Sequence, residues 1–361
     1  MKIEEKISAF ISLGKYLKEY VNLKAEVKNK HLTEKTVFSV LENAVSNAEI
    51  ENPWFTRENI FVALENISIS LDKSKLDLFI QPYSEKLVNM KTPGRIGVVM
   101  AGNIPLVGFH DFLCVLLSGH RFLGKSSSQD SHLLPAIAEL LIMINPDFGN
   151  LILFSEERLT GFDAIIASGS NNSYRYFEYY FGKYPHILRK NRNGIAILSG
   201  TETGDEMAGI ADDIFIFFGR GCRSISKLYL PEHFDFELLA EPLKKYSHYI
   251  DYHKYGNNYN YYKAIYLLDK VPFIDIGHAL LVENSEIASP VSVIYYEYYQ
   301  DLPKLKDKLT AMEEQIQCIV CRDPKVSGSI KPGQSQHPEL WDYADGIDTM
   351  EFLLNLQLLQ N

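Results

Sequence analysis

The sequence predicts an α/β protein built on parallel sheets with covered faces, preceded by an all-helical segment. Three observations carry that reading. Apolar residues recur at helical spacing through the first ninety positions. From Arg95 onward, short apolar runs end in small or polar residues and are followed by apolar helices. The 361 residues, 46% of them apolar, can bury the cores of two domains of roughly 100–200 residues each.

In the helical segment the spacing predicts helices over residues 4–20, over 33–48 with a Thr-x-x-Thr start at Thr33 and Thr36, and over 56–79. The period changes at Ile96-Gly97-Val98-Val99-Met100, which ends in Ala101-Gly102-Asn103 and leads through Pro105 into a long apolar helix. That is strand, turn, helix. The unit returns at Arg121-Phe122-Leu123-Gly124-Lys125 before a helix over 133–144, at residues 150–154, and at Ala164-Ile165-Ile166-Ala167 before Ser168-Gly169-Ser170. Repeated alternation of this kind implies a parallel sheet, whose ligands bind at the carboxyl ends of its strands. Three of these ends carry small or polar residues suited to a phosphate or ribose. No Gly-x-Gly-x-x-Gly and no Walker loop occurs, so spacing alone leaves a nucleotide site and ordinary turns as equal readings.

A second block follows the basic stretch Arg189-Lys190-Asn191-Arg192-Asn193. It offers a strand over 195–198, a helix over 205–211, and an apolar run over 214–218 that reads as a strand leading into Gly219-Arg220-Gly221-Cys222. Residues 226–230, 278–282, 291–296 and 317–320 are also strand-like. The stretch 246–262, rich in Tyr, His and Asn, reads as a helix or surface loop without assigned chemistry.

Charge narrows the function classes. With 36 Lys and Arg against 46 Asp and Glu, the net charge of −10 argues against nucleic acid as a partner. The start, Met1-Lys2-Ile3-Glu4-Glu5-Lys6, is charged, and no uninterrupted apolar run approaches the ~18 residues of a membrane span. A cytoplasmic protein is expected. Four cysteines, Cys114, Cys222, Cys318 and Cys321, are too few and too unevenly placed for a disulfide framework and are expected as free thiols.

Of the four, Cys222 invites chemistry. Two glycines precede it, so the chain must turn sharply and leave the sulfur reachable. Arg220 and Arg223 flank it, and a helix starting beyond it would aim amides at the sulfur; both favour thiolate. An isolated cysteine is more often packed beneath a turn, and the glycines tilt the balance. Cys318 and Cys321 form a Cys-x-x-Cys without a second pair, on a strand, so zinc and redox readings are set aside. Cys114 lies within an apolar helix and reads as core.

These motifs, in this order, resemble the aldehyde dehydrogenase superfamily and, within it, the LuxC-type acyl-CoA (fatty acyl) reductase family. Gly219-Arg220-Gly221-Cys222 is similar to the superfamily's nucleophile loop and Ser226-Lys227-Leu228-Tyr229-Leu230 to the strand after it. Gly102-Asn103-Ile104-Pro105-Leu106 is similar to the segment whose Asn amide holds the oxyanion, which implies that role for Asn103. Lys125-Ser126-Ser127-Ser128 resembles the strand end that holds the adenine ribose. Ser128 stands where members restricted to NAD often carry Glu, which implies NADPH, with NADH as the alternative. Ser168-Gly169-Ser170 resembles the pyrophosphate turn, and Glu286-Ile287-Ala288-Ser289-Pro290-Val291 the loop whose Glu grips the nicotinamide ribose. The likeness runs from Arg95 to Val291 and into the tail at Gly333-Gln334-Ser335-Gln336-His337 and Asp342-Tyr343-Ala344-Asp345-Gly346.

The resemblance implies an aldehyde dehydrogenase-like fold: a Rossmann-type parallel-sheet domain with the helical segment over 1–190, a second α/β catalytic thiol domain over 191–335, and a segment over 336–361 packing back on the nucleotide domain. The superfamily's general-base Glu would fall within residues 188–191, where this chain has Leu, Arg, Lys and Asn. Without that carboxylate, water attacks an acyl-enzyme slowly, which suits an acyl group exchanged with a thiol. The implied reaction is reduction of an acyl-CoA or acyl-protein thioester to an aldehyde. An acyl-transferring or acyl-protein synthetase partner and a homo-oligomer are compatible with it. The rivals are an oxidative aldehyde dehydrogenase, disfavoured by the missing base, a nucleotide-binding subunit without turnover, and a thiol acyltransferase that uses no dinucleotide.

Overall fold

A computed structural model describes residues 1–26, 35–89 and 92–356. The chain divides into two compact units, residues 191–338 and the remainder on either side. The first unit opens with α1 (Ile3–Glu26), α2 (Lys35–Glu51), α3 (Arg57–Ser70), α4 (Lys73–Ile80) and α5 (Ser84–Asn89). The expected start at Thr33 lies outside the described residues. The single pattern over 56–79 is two helices, because Asp72 is extended and its carboxylate accepts the Ser74 amide at 2.9 Å, capping a fresh helix. The helical segment is part of the core. Phe10, Leu13 and Leu17 of α1 are fully buried, and the Phe10 ring meets Phe112 and Phe148 edge-on at 6.4 and 5.9 Å.

The sheet of this unit is built from β1 (Arg95–Val99), α6 (Phe109–Leu117), β2 (Arg121–Lys125), α7 (Leu133–Ile144), β3 (Ile152–Phe154), β4 (Ala164–Ser168), α8 (Asn171–Phe181) and β5 (His186–Arg189). Its five strands are all parallel in the order β3-β2-β1-β4-β5. Strand β1 sits centrally, with Val99 opposite Lys125 on one side and Ala167 on the other. The chain winds outward in one direction through β2 and β3, then in the other through β4 and β5. The carboxyl ends of β1 and β4 therefore flank the switch point, where such sheets take their ligands.

The second unit contains β6 (Asn193–Ile197), α9 (Gly204–Phe215), β7 (Ile225–Pro231), α10 (Glu237–Leu243), α11 (His253–Leu268), β8 (Ile274–Asp275), β9 (Leu280–Glu283), β10 (Val293–Tyr299), α12 (Leu302–Ala311) and β11 (Ile316–Cys321). Its six strands run in the order β11-β6-β7-β10-β9-β8, parallel except for the short β8. The chain then returns to the first unit, where α13 (Thr349–Leu354) packs against α6. Among the described residues no helix is long and apolar enough to cross a membrane.

One expectation is corrected in the second unit. The run 214–218 is not a strand. A capping box between Thr203 and Glu206 starts α9, which continues through Phe215 before a 3-10 turn over Ile216–Gly219. Five consecutive apolar residues carry no period, so a buried helix end and a buried strand look alike. The Tyr-rich stretch is helical, and part of it is core: Tyr246, Tyr249, Tyr255 and Tyr259 are buried. Tyr249 and Tyr252 pack on Phe218 with ring centroids 4.4 and 5.1 Å away.

Candidate active site

In the first unit the expected Asn103, Lys125, Ser128, Ser168, Gly169 and Ser170 all fall at the carboxyl ends of β1, β2 and β4. Asn103 is half-buried on the bend between β1 and α6. A Cβ on Gly102 would lie 2.6 Å from Ser127 Oγ and 2.7 Å from its Cβ. Only glycine lets the Asn103 loop rest on the turn that carries Ser128. Further along the loop, Leu106 is left-handed with φ 59, a conformation that costs about 1–2 kcal/mol for a residue with a side chain. Asp130 offsets part of this by accepting the Leu106 amide at 2.8 Å, and burial pushes its carboxyl up to about 6.

Lys125 ends β2, and its ammonium donates to the Glu156 carbonyl at 2.6 Å. Ser126 Oγ is buried and makes no hydrogen bond among the described residues, and Ser128 is exposed. Across residues 125–128 the side chains offer one ammonium and three hydroxyls and no carboxylate, a set that fits a phosphate. After β4, Ser170 caps α8 by accepting the Ser173 amide at 3.3 Å, and a Cβ on Gly169 would sit 2.9 Å from Ser173 Cβ and from Phe177. An 11-residue helix starting at a strand end presents its first amides to an anion. These residues fit the phosphates of a dinucleotide.

Within residues 188–191, where the resemblance implies a general-base Glu, stands Arg189, the last residue of β5. It is 7% exposed and forms a two-pronged pair with Asp111 of α6, which is 5% exposed, at 2.5 and 2.8 Å. The same guanidinium donates to Thr349 Oγ1 at 3.1 Å and to Ser168 Oγ at 3.4 Å, linking α13 to the strand end before the Gly169 turn. Both Asp111 oxygens accept from the Arg189 guanidinium, which ties this carboxylate into a buried pair.

In the second unit Cys222 lies in a tight turn: the Ser224 amide donates to the Gly221 carbonyl at 3.0 Å and the Gly221 amide to Ser224 Oγ at 3.1 Å. Cys222 is half-buried and forms no disulfide among the described residues. The expected helix beyond it is replaced by β7, so Cys222 sits before the amino end of a strand rather than after a carboxyl end. What precedes it is strained. Phe217, Phe218 and Gly219 are successively left-handed, with φ 59, 57 and 70. Two phenylalanines hold that conformation because their rings are buried, and only glycine follows comfortably; such strain gathers at functional sites.

Glu286 is exposed, on a loop pinned from both sides by β7. Fully buried Lys227 donates to the Asn284 carbonyl and to Glu297 Oε2 at 3.1 Å, while Ser226 Oγ donates to the Ile287 carbonyl at 2.7 Å. Burial pulls the Lys227 ammonium down from its ordinary range. Neither residue stood out as a support in the sequence, because Lys227 reads there as one member of a strand.

Asp213 was also missed. It is 1% exposed near the end of α9 and accepts the Gly333 amide at 2.7 Å and the Ser335 amide at 2.8 Å. Burial raises its carboxyl to about 6. A faint signal existed, since Asp213 lies three residues past Ile210 on the apolar side of an amphipathic helix. Cys318 and Cys321 lie on β11, three apart and so facing opposite sides of the sheet; the Cys318 thiol donates to the Arg223 carbonyl at 3.7 Å. Cys114 is fully buried.

The profile of the acyl-CoA reductase (LuxC) family matches residues 15–250, more than half of the chain. No curated protein matches the sequence. Among solved structures, aldehyde dehydrogenase 21 from Physcomitrella patens, in complex with its reaction product succinate, is similar with a TM-score of 0.59 at 13% identity, over 98% of this chain and 87% of that one. An aldehyde dehydrogenase from Bacillus cereus in complex with NAD+ gives a TM-score of 0.59 at 11% identity, over 90% of this chain and 73% of that one. An NADP-dependent enzyme from E. coli gives 0.56 at 13% identity, over 90% and 79%. Identities this low speak to the fold. The chain belongs to the acyl-CoA reductase (LuxC) family, an oxidoreductase family, and has the aldehyde dehydrogenase fold.

Proposed function

We propose that this protein reduces an acyl thioester, a fatty acyl-CoA, to the aldehyde, with Cys222 as the acyl carrier and NADPH as the reductant. The Cys222 thiolate attacks the thioester carbonyl; a carbon–sulfur bond forms, the coenzyme thiolate leaves, and the acyl group stays on Cys222. Asn103 is assigned to hold the oxyanion with its amide. Lys125, Ser128 and the turn Ser168-Gly169-Ser170 would hold the dinucleotide phosphates and adenine ribose, and Glu286 the nicotinamide ribose. When bound, the dinucleotide supplies a hydride to the acyl carbon. Collapse of the resulting hemithioacetal oxyanion would break the bond to sulfur, release aldehyde and return the Cys222 thiolate.

The observation that carries this reading is the pair Arg189–Asp111. Within residues 188–191, the stretch the resemblance assigns to the water-activating carboxylate, a buried guanidinium stands instead and holds the Asp111 carboxylate in a two-pronged pair, which favours exchange with a thiol over hydrolysis. NADPH is preferred over NADH because residues 125–128 bring cation and hydroxyls without a carboxylate to repel a 2′-phosphate.

The test follows oxidation of NADPH and of NADH with acyl-CoAs from acetyl to palmitoyl. The expected result is one aldehyde and one free coenzyme A per NADPH, fastest with the longer chains, with NADH less efficient by about 10-fold or more. Absence of turnover with every thioester, together with reduction of NADP+ or NAD+ by free aldehydes to give acids, would replace the proposal with the oxidative reaction.

A further inference from the structure

We infer that Asp213 is a positioning residue for Cys222, acting through the segment 333–336, an inference that rests on the thiol chemistry proposed above. Within the second unit a series of hydrogen bonds runs from Asp213 to the nucleophile turn, and the covalent chain between residues 213 and 224 closes it into a ring. Each Asp213 oxygen receives one backbone amide, Oδ2 from Gly333 at 2.7 Å and Oδ1 from Ser335 at 2.8 Å. The segment so held turns its next groups to the nucleophile turn. The Ser335 carbonyl accepts Arg223 Nε at 2.7 Å, and Gln336 Nε2 donates to Ser224 Oγ at 3.4 Å. Ser224 Oγ in turn accepts the Gly221 amide at 3.1 Å. The residues on both sides of Cys222 are therefore gripped by a strand of chain whose own position is set by one carboxylate.

Two further features make the carboxylate specific to this task. A Cβ on Gly209 would come within 2.7 Å of the Gly333 nitrogen and 2.8 Å of the Pro332 carbonyl carbon, so α9 and the segment touch backbone to backbone. No side chain could fill the space between them. The same helix end also carries Phe217 and Phe218 in left-handed conformations, directly before the Cys222 turn. A buried carboxylate is costly to desolvate, and burying one to accept two amides is sustained where the geometry it holds is used.

Asp213→Asn keeps the shape but places an amide NH2 against one of the two N–H donors, so one side of the ring opens. Three quantities are measured: steady-state NADPH oxidation with acyl-CoA, the rate at which iodoacetamide alkylates Cys222 as read by peptide mass spectrometry, and the thermal midpoint. The expected result is a kcat reduced about 10-fold or more, since small displacements of reacting groups cost this much, with the KM for NADPH within about twofold of wild type. The Cys222 alkylation rate should change by about threefold or more. Arg223→Ala opens the same ring on its outer side, remote from the buried carboxylate, and serves where Asp213→Asn lowers the thermal midpoint too far to assay. In the double variant the losses should not add, because either change alone opens the ring. Unchanged kcat and alkylation in folded Asp213→Asn and Arg223→Ala proteins would overturn the inference. Alkylation needs no acyl-CoA, so a wild type inactive on thioesters would sink the proposed reaction while the positioning role was still being read.

Discussion

Replacing Cys222 with alanine should abolish aldehyde formation: kcat/KM for acyl-CoA is expected to fall by about 10⁴-fold or more, with binding of NADPH retained. Losses of that order accompany removal of a covalent nucleophile, because the remaining groups have no intermediate to stabilise. The two events are separable by measurement, using NADPH oxidation for turnover and calorimetry for dinucleotide binding. The thiol lies in the second unit, whereas the candidate phosphate-binding residues lie in the first, so its removal should leave the phosphate contacts intact. A Cys222→Ala protein that still released aldehyde at more than a few per cent of the wild-type rate would remove the acyl-enzyme from the scheme.

The second large effect concerns stability. Asp111→Ala should destabilise the first unit by about 3–5 kcal/mol, because it strands the Arg189 guanidinium without its partner in a buried site. Replacing both residues with apolar ones of similar volume should recover most of the loss, since the pair's own net worth is small once desolvation is counted. Urea denaturation of the two variants checks this. A loss below about 1 kcal/mol for Asp111→Ala would mean that the guanidinium finds water or another partner and that the pair contributes little to the first unit.

The parallel sheet of the first unit was legible because its strands punctuate themselves. The apolar runs at Ile96, Phe122 and Ala164 begin and end within a residue or two of β1, β2 and β4, and each is closed by Gly, Ser or Lys. What defeated the reading in the second unit was local ambiguity. Residues 214–218 are apolar at every position, and the helix they complete is announced only by Thr203 and Glu206 upstream. The division of the pattern over 56–79 turned on the single cap at Asp72.

The site was legible in part for the same reason. Gly219 and Gly221 marked a turn that would leave the Cys222 sulfur reachable, and Gly219 does adopt φ 70. The supports of the site were not legible, because they act across long stretches of chain. Arg189 meets Asp111 from 78 residues away and Asp213 meets Ser335 from 122. In the sequence Arg189 belongs to a basic stretch; only the fold shows that it is buried and paired.

The most direct test of the central claim is intact-protein and peptide mass spectrometry after incubation with an acyl-CoA in the absence of any dinucleotide. The expected result is one acyl group per chain, carried on the peptide containing Cys222, which persists against water and is discharged as aldehyde on addition of NADPH. An unmodified Cys222 peptide, in a protein that nevertheless forms aldehyde once NADPH is added, would contradict the account.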